Sequence, residues 1–141
     1  MENKNHKCKY LALICLDWRL HPQSELYFKT KFKNFDLCSL AGSVKNLNNK
    51  KLSYFLMNQI KISLNLHKIE GIILTIHKDC GAYGGSKVFK DEEEEYLHHL
   101  KELKKASLII KRKFPKLKIK KIFINLKEQK GNWQCLFKEI K

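Results

Sequence analysis

YLALICL at residues 10–16 and GIILTI at residues 71–76 are two apolar runs of strand length, and their reading decides the fold. Neither run alternates apolar with polar residues, the pattern of a strand buried on both faces in a parallel sheet. The second is rich in β-branched side chains, which suit a pleated surface. Working outward, Leu37 to Leu40 reads as a shorter strand ending at Ala41 and Gly42. Lys50 to Leu66 carries Leu52, Phe55, Leu56, Ile60 and Leu64 at helical spacing, with Asn48 or Asn49 available as its cap. Ser24 to Lys33 forms a further candidate helix after Pro22. Asp91 to Lys113 is the clearest helix, with Leu97, Leu100, Leu103, Ser107, Ile110 and Phe114 three or four apart. Acidic residues at its start and Lys111, Arg112 and Lys113 at its end complement the helix dipole, and Pro115 stops it. Ile119 to Leu126 and Trp133 to Ile140 flank the turn residues Lys130, Gly131 and Asn132, which predicts a terminal hairpin. Alternating strands and helices define an α/β fold, with a mainly parallel central sheet flanked by helices and a C-terminal antiparallel strand. A chain of 141 residues is short for two cores, so residues 1–141 are expected to form a single domain.

Charge is the unusual feature of the composition. Lys and Arg total 29 against 14 Asp and Glu, a net charge of +15, and +11 of it falls after residue 100. Basic surfaces attract polyanions, but only Arg19 and Arg112 are arginines. Lysine lacks the bidentate fork that specific phosphate and base recognition favours. Lysines also alternate with apolar residues from Lys116 to Lys120, as on a solvated face, so nucleic acid is not the expected partner. No apolar stretch approaches the roughly 20 residues of a membrane helix, and the polar start lacks a signal-like core; a cytoplasmic location is expected, with no membrane partner. In a reducing compartment the five cysteines point to metal ligation or burial rather than disulfides, and Cys8, Cys38 and Cys135 receive no role.

In open α/β sheets ligands bind beyond the carboxyl ends of the strands. Cys15, Asp17 and Arg19 follow the first run, and on an extended chain the period of two sends all three to one side. His77 and Cys80 follow the later run and lead into Gly81. Were the two runs adjacent, two thiols and an imidazole would meet: a zinc set with a fourth position free, as in catalytic rather than structural sites. Each residue also has a plainer reading, a cysteine as a small hydrophobe and a histidine bonded to backbone. His-x-x-Cys is a spacing one tight turn can close, and Gly81 allows close backbone approach. Lys78 and Asp79 read equally well as solvated loop charges. A cysteine phosphatase loop is excluded, because Cys15 and Arg19 are too close and no glycine lies between them; Cys-x-x-Cys redox chemistry is excluded because the motif is absent.

Cys15-x-Asp17-x-Arg19 with Pro22, His77-x-x-Cys80-Gly81-Ala82, and Leu40-Ala41-Gly42-Ser43 between them together resemble the β-class carbonic anhydrases, in order and over most of the chain from Tyr10. The resemblance implies a Zn2+ ion held by Cys15, His77 and Cys80, with water or Asp17 in the fourth position. It implies that Asp17 and Arg19 form the catalytic dyad, Arg19 keeping the carboxylate off the metal, and that the Gly81 N–H is a donor to substrate or product oxygen. The implied activity is reversible hydration of carbon dioxide to bicarbonate by a zinc-bound hydroxide. Alternatives on the same site are hydrolysis of carbonyl sulfide or carbon disulfide, or a non-catalytic zinc- and bicarbonate-binding homologue. A homodimer or larger homo-oligomer is implied as well. Trp18 stands where the family usually has a small residue, and Leu40 and Ser43 depart from its polar flanks around the Ala-Gly pair.

Overall fold

The structure is a computed structural model that describes residues 6–141. Strands β1 (Tyr10–Ile14), β2 (Phe35–Ser39), β3 (Gly71–His77), β4 (Lys118–Gln129) and β5 (Asn132–Ile140) form one sheet in the order β2-β1-β3-β4-β5. β1 pairs in parallel with β2 and β3, β3 pairs in parallel with β4, and β5 alone runs antiparallel, against β4. The expected α/β class, the parallel centre and the antiparallel C-terminal strand are all present. Helices α1 (Gln23–Phe32), α2 (Lys50–His67) and α3 (Glu92–Lys113) supply the flanking layers.

The continuous apolar runs are explained by two separate cores. Leu11, Leu13, Ile72, Leu74 and Ile76 turn to one face, where they pack with Leu56 and Ile60 of α2 and with Leu103, Ala106 and Ile110 of α3. Tyr10, Ala12, Ile14 and Ile73 turn to the other, against Phe28 and Phe32 of α1 and against Ile122 and Ile124 of β4. With both faces covered, every residue of β1 and β3 is buried. Each fully buried leucine or isoleucine contributes about 1.5–3 kcal/mol through apolar area removed from water.

Local chemistry sets the helix ends. Asn49 caps α2 by accepting from the Leu52 N–H at 3.0 Å, and Asp91 caps α3 by accepting from the Glu94 N–H at 2.8 Å. Three expectations need correction. On α3 the buried stripe runs through Glu95, His99, Leu103, Ala106 and Ile110, and Leu97 is half exposed. On α2 the buried residues are Leu56, Ile60 and Ser63, while Leu52 and Phe55 point outward. Apolar spacing alone cannot separate a core stripe from an apolar outer face, because both share the helical period. At the hairpin, only Lys130 (φ 52°) and Gly131 (φ 79°) form the turn, and Asn132 already pairs with Gln129. Two positive φ angles in succession match the right-handed twist of the strands they join. Among the described residues no helix is long and apolar enough to cross a membrane.

Candidate metal centre

The carboxyl ends of β1 and β3 lie side by side because the two strands are adjacent and in register from Tyr10–Gly71 to Leu13–Leu74. Cys15 follows β1 directly, His77 is the last residue of β3, and Cys80 ends the next turn. One donor atom from each lies within 4.8 Å of the others, and all three residues are buried. Donors at zinc distances of about 2.0–2.3 Å stand roughly 3.3–3.8 Å apart in a tetrahedron, so shifts within about an ångström would close the set. Nδ1 of His77 donates to the Lys78 carbonyl at 2.8 Å, which fixes the tautomer, and Nε2 is buried with no partner among the described residues. A buried imidazole nitrogen with a free lone pair beside two thiols is the arrangement a cation satisfies.

The thiols are coupled. A hydrogen bond from Cys80 outweighs burial and lowers the Cys15 thiol to about 4, whereas Cys80, which keeps the shared proton, is driven far upward by that bond and by burial. The metal-free pair thus holds one negative charge easily and two only at great cost, a balance a dication reverses. Gly42 supports Cys15 by donating its N–H to Sγ at 3.4 Å. Its φ of +83° is one that glycine tolerates. The Cys15 carbonyl is held by Nε2 of His21 at 3.0 Å, and Nδ1 of His21 faces the Glu25 carboxylate. Ser43 Oγ donates to the Thr75 carbonyl at 2.7 Å and lies 3.2 Å from the Leu13 carbonyl, which also accepts from Thr75 Oγ1 at 2.8 Å, tying the two strand ends together.

Asp17 and Arg19 stand at the edge of this cluster, but not on an extended strand as the period of two predicted. The chain turns through a short 3-10 segment, Trp18–Leu20, whose start Asp17 caps by accepting from the Arg19 N–H at 3.0 Å. This turn folds the guanidinium back onto the carboxylate, with Nη2 to Oδ2 at 2.7 Å and Nε to Oδ1 at 3.1 Å. Burial opposes ionisation of Asp17, yet the hydrogen bonds and charge of Arg19 hold its carboxyl below the usual carboxylate value. Asp17 Oδ2 also lies 3.9 Å from His77 Nε2. Gly81 is exposed, with open space where a Cβ would stand. It lies on the rim of an open depression shared with Asp17, Arg19, Asp79, Gly84 and Val88.

Three supporting residues escaped the sequence reading. Asp79, a loop charge of open role, accepts from Arg19 Nη1 at 3.0 Å and from the Ser86 N–H at 2.8 Å. Its carbonyl accepts from Arg19 Nη2 at 2.9 Å. Glu95, read as one of several acids favouring the helix dipole, is 2% exposed and accepts from the Asp79 N–H and the Ser86 hydroxyl, both at 2.7 Å. It therefore clamps the loop that carries Cys80 and Gly81. Trp133 of β5 lies under the guanidinium, with Arg19 Cζ 4.9 Å from the ring centroid. Only for Glu95 was a signal available: it shares a face with His99 and Leu103, at helical spacing toward the core. Of the unassigned cysteines, Cys135 is buried behind Arg19, its Sγ 3.6 Å from the Arg19 carbonyl, and Cys38 packs on the α2 side of the sheet.

Comparison with known proteins gives a consistent picture. A family described as "Putative carbonic anhydrase" matches residues 5–135. An uncharacterized protein of Rickettsia conorii is 36% identical over 117 residues, covering 77% of this chain and 63% of its own length. Another, of Rickettsia bellii, is 35% identical over 119 residues, covering 77% of this chain and 71% of its own. The chain thus spans less than two thirds of the length of the first relative. Among solved structures, a carbonic anhydrase from Streptococcus mutans is similar with a TM-score of 0.52 and 14% identity, over 96% of this chain and 86% of that one. At that identity the likeness is one of fold.

Proposed function

Because the chain belongs to this carbonic anhydrase family, we propose that it is a zinc-dependent carbonate dehydratase, a lyase that interconverts carbon dioxide and bicarbonate. The observation that carries this reading is the buried Nε2 of His77, without a partner among the described residues, beside Cys15 and Cys80, with Asp17 gripped by Arg19 at the edge of the cluster. The donor set fits zinc: two thiolates and one neutral imidazole, the last with its tautomer fixed by backbone. When bound there, zinc supplies Lewis acidity that makes water nucleophilic near neutral pH.

The residues of the chain do the rest. Asp17 accepts a hydrogen bond from the O–H of the reacting oxygen and orients it, and Arg19 keeps that carboxylate turned from the thiols by a charge-assisted fork. The Gly81 N–H, on the rim of the depression, is placed to donate to substrate or product oxygen. Glu95 and Asp79 hold the loop and the guanidinium in place. Leu16 and Trp18, which flank Asp17 in the chain, and Val88, on the rim of the depression, are apolar and exposed, which supports a pocket completed by a second copy of the chain in a homodimer. The proposal places the chain in a reducing cytoplasm, where its five free thiols persist.

Stopped-flow carbon dioxide hydration with a pH indicator, on tag-free chain carrying a measured zinc equivalent, tests this reading. Hydration that disappears in Asp17→Ala while zinc is retained supports it. Zinc-loaded chain that hydrates no carbon dioxide overturns it, and sulfide release from carbonyl sulfide by that same sample would move the substrate to the sulfur analogue. Sedimentation of the loaded chain tests the homodimer.

A further inference from the structure

A second group of ligating side chains lies at the opposite end of the sheet, by the amino ends of the parallel strands. Cys8 precedes β1, Asp36 is the second residue of β2, and His67 is the last residue of α2. The Cys8 N–H donates to the His67 carbonyl at 3.0 Å, which fixes the chain entering β1 against the end of α2. Asp36 pairs with Leu11 in the ladder and therefore faces the α2 side of the sheet. One donor atom from each of Cys8, Asp36 and His67 lies within 4.8 Å of the other two, and all three are partly buried.

Three further observations separate this group from an ordinary surface cluster. His67 Nδ1 lies 2.6 Å from Asp36 Oδ2, and Ser63 Oγ orients that oxygen from 2.5 Å. His67 Nε2 faces His6 Nε2 at 3.1 Å, so the back of the imidazole is held by a group able to accept its proton. Finally, in a chain with 29 Lys and Arg, Asp36 has no lysine or arginine within 4.0 Å among the described residues; its one ionic partner there is His67. A carboxylate, a thiol and an imidazole are thus gathered at one point with the plentiful cations of the surface kept off it.

We propose that Cys8, Asp36 and His67 form a second metal site for a borderline divalent ion of the zinc class, with His6 supporting the imidazole from behind. The donor types set the class: thiolate and imidazole favour zinc-like ions over calcium or magnesium. On binding, Cys8 releases its thiol proton to solvent. The His67 proton passes from Nδ1 to Nε2, where His6 accepts it as a hydrogen bond, and Nδ1 turns its lone pair to the ion. An acceptor behind a ligating histidine, receiving its other ring N–H, is the usual device for fixing its tautomer, and His6 takes that place here. The fourth position is left to water.

Zinc titration of the tag-free chain, with bound metal counted after dialysis, reads the number of sites. The parent is expected to bind two equivalents, and Cys8→Ser and Asp36→Asn one each. Cobalt(II) in the parent is expected to give thiolate charge-transfer absorption that falls by about a third in Cys8→Ser, since three thiolates become two. Independently of any variant, zinc is expected to slow iodoacetamide labelling of Cys8 at least tenfold, read by peptide mass. Equal metal content in parent and Cys8→Ser, or Cys8 labelling that zinc leaves unchanged, overturns the proposal. Failure of the first centre is distinct: it would leave Cys8 protected while Cys80→Ser retains all of the metal.

Discussion

Arg19 grips Asp17 two residues away with a fork, Nη2 to Oδ2 at 2.7 Å and Nε to Oδ1 at 3.1 Å, and reaches across to Asp79 with its remaining nitrogen. One side chain thereby joins the end of β1 to the loop after β3. The Arg19 side chain is 14% exposed and its guanidinium rests on Trp133, so the fork is screened from competing water.

Arg19→Lys tests that fork. An ammonium is a point donor and cannot hold both carboxylates in one plane. Zinc content should stay at the parent value, while hydration falls on the order of 100-fold, the loss expected when a reacting group is misplaced by about 1 Å. Metal analysis beside stopped-flow kinetics checks both halves; an unchanged rate rejects the assignment.

Glu95→Gln should destabilise the loop of Cys80. A glutamine offers one oxygen where two donors, Asp79 N–H and Ser86 Oγ, now converge on two. Its amide then faces a donor in a site only 2% exposed, and an unsatisfied buried group costs about 1–3 kcal/mol. Urea unfolding midpoints should fall accordingly, and Glu95→Asp, with its shorter reach, should not restore them.

Gly42→Ala is expected to cost more than its size suggests. At φ +83° the new Cβ would stand 3.0 Å from the Ala82 Cβ and 3.2 Å from the Lys45 Cβ. Left-handed backbone alone costs an alanine about 1–2 kcal/mol. Movement of the Gly42 N–H away from Cys15 should also weaken zinc about 10- to 100-fold, the usual effect of disturbing a ligand's support. Competition with a chromophoric chelator measures this, and parent-like affinity would show that the Gly42 bond to sulfur is unimportant.

Stability should decline in two stages on acidification. Burial lowers His99 to about 4 from 6.5, opposed by the Glu95 carboxylate beside it. A histidine with a depressed folded value favours the folded state fully above its unfolded value and loses that contribution as pH falls from about 6.5 toward 4. Asp17 and Asp79 are likewise depressed from 3.8, Asp79 chiefly by the Ser86 N–H, so their contribution is lost only below that value. Urea unfolding of parent and His99→Gln between pH 7 and 4 should diverge, the parent losing up to about 1.4 kcal/mol more per pH unit. Parallel profiles would remove His99 from the account.

Sequence by itself determined much of this molecule. The unalternating runs at Tyr10 and Gly71 required a sheet covered on both faces, Pro115 and Asp91 bounded the long helix, and Cys15, His77 and Cys80 stood out because each closes or follows a strand. Such signals are local: they depend on side-chain type and on a period of two or about 3.6 residues. What only the tertiary structure decided is pairing between distant residues. The adjacency of β1 and β3 turned three separated donors into one cluster, and the turn at Trp18 brought Arg19 back onto Asp17 where an extended chain would have carried it past. The same folding selected Glu95 from four neighbouring glutamates, since it alone of the four is buried and accepts from the Asp79 N–H, and set Cys8 beside His67 across almost half the chain. A sequence states which groups can bond; which of them meet depends on strand order and helix rotation, set by the joint burial of both cores.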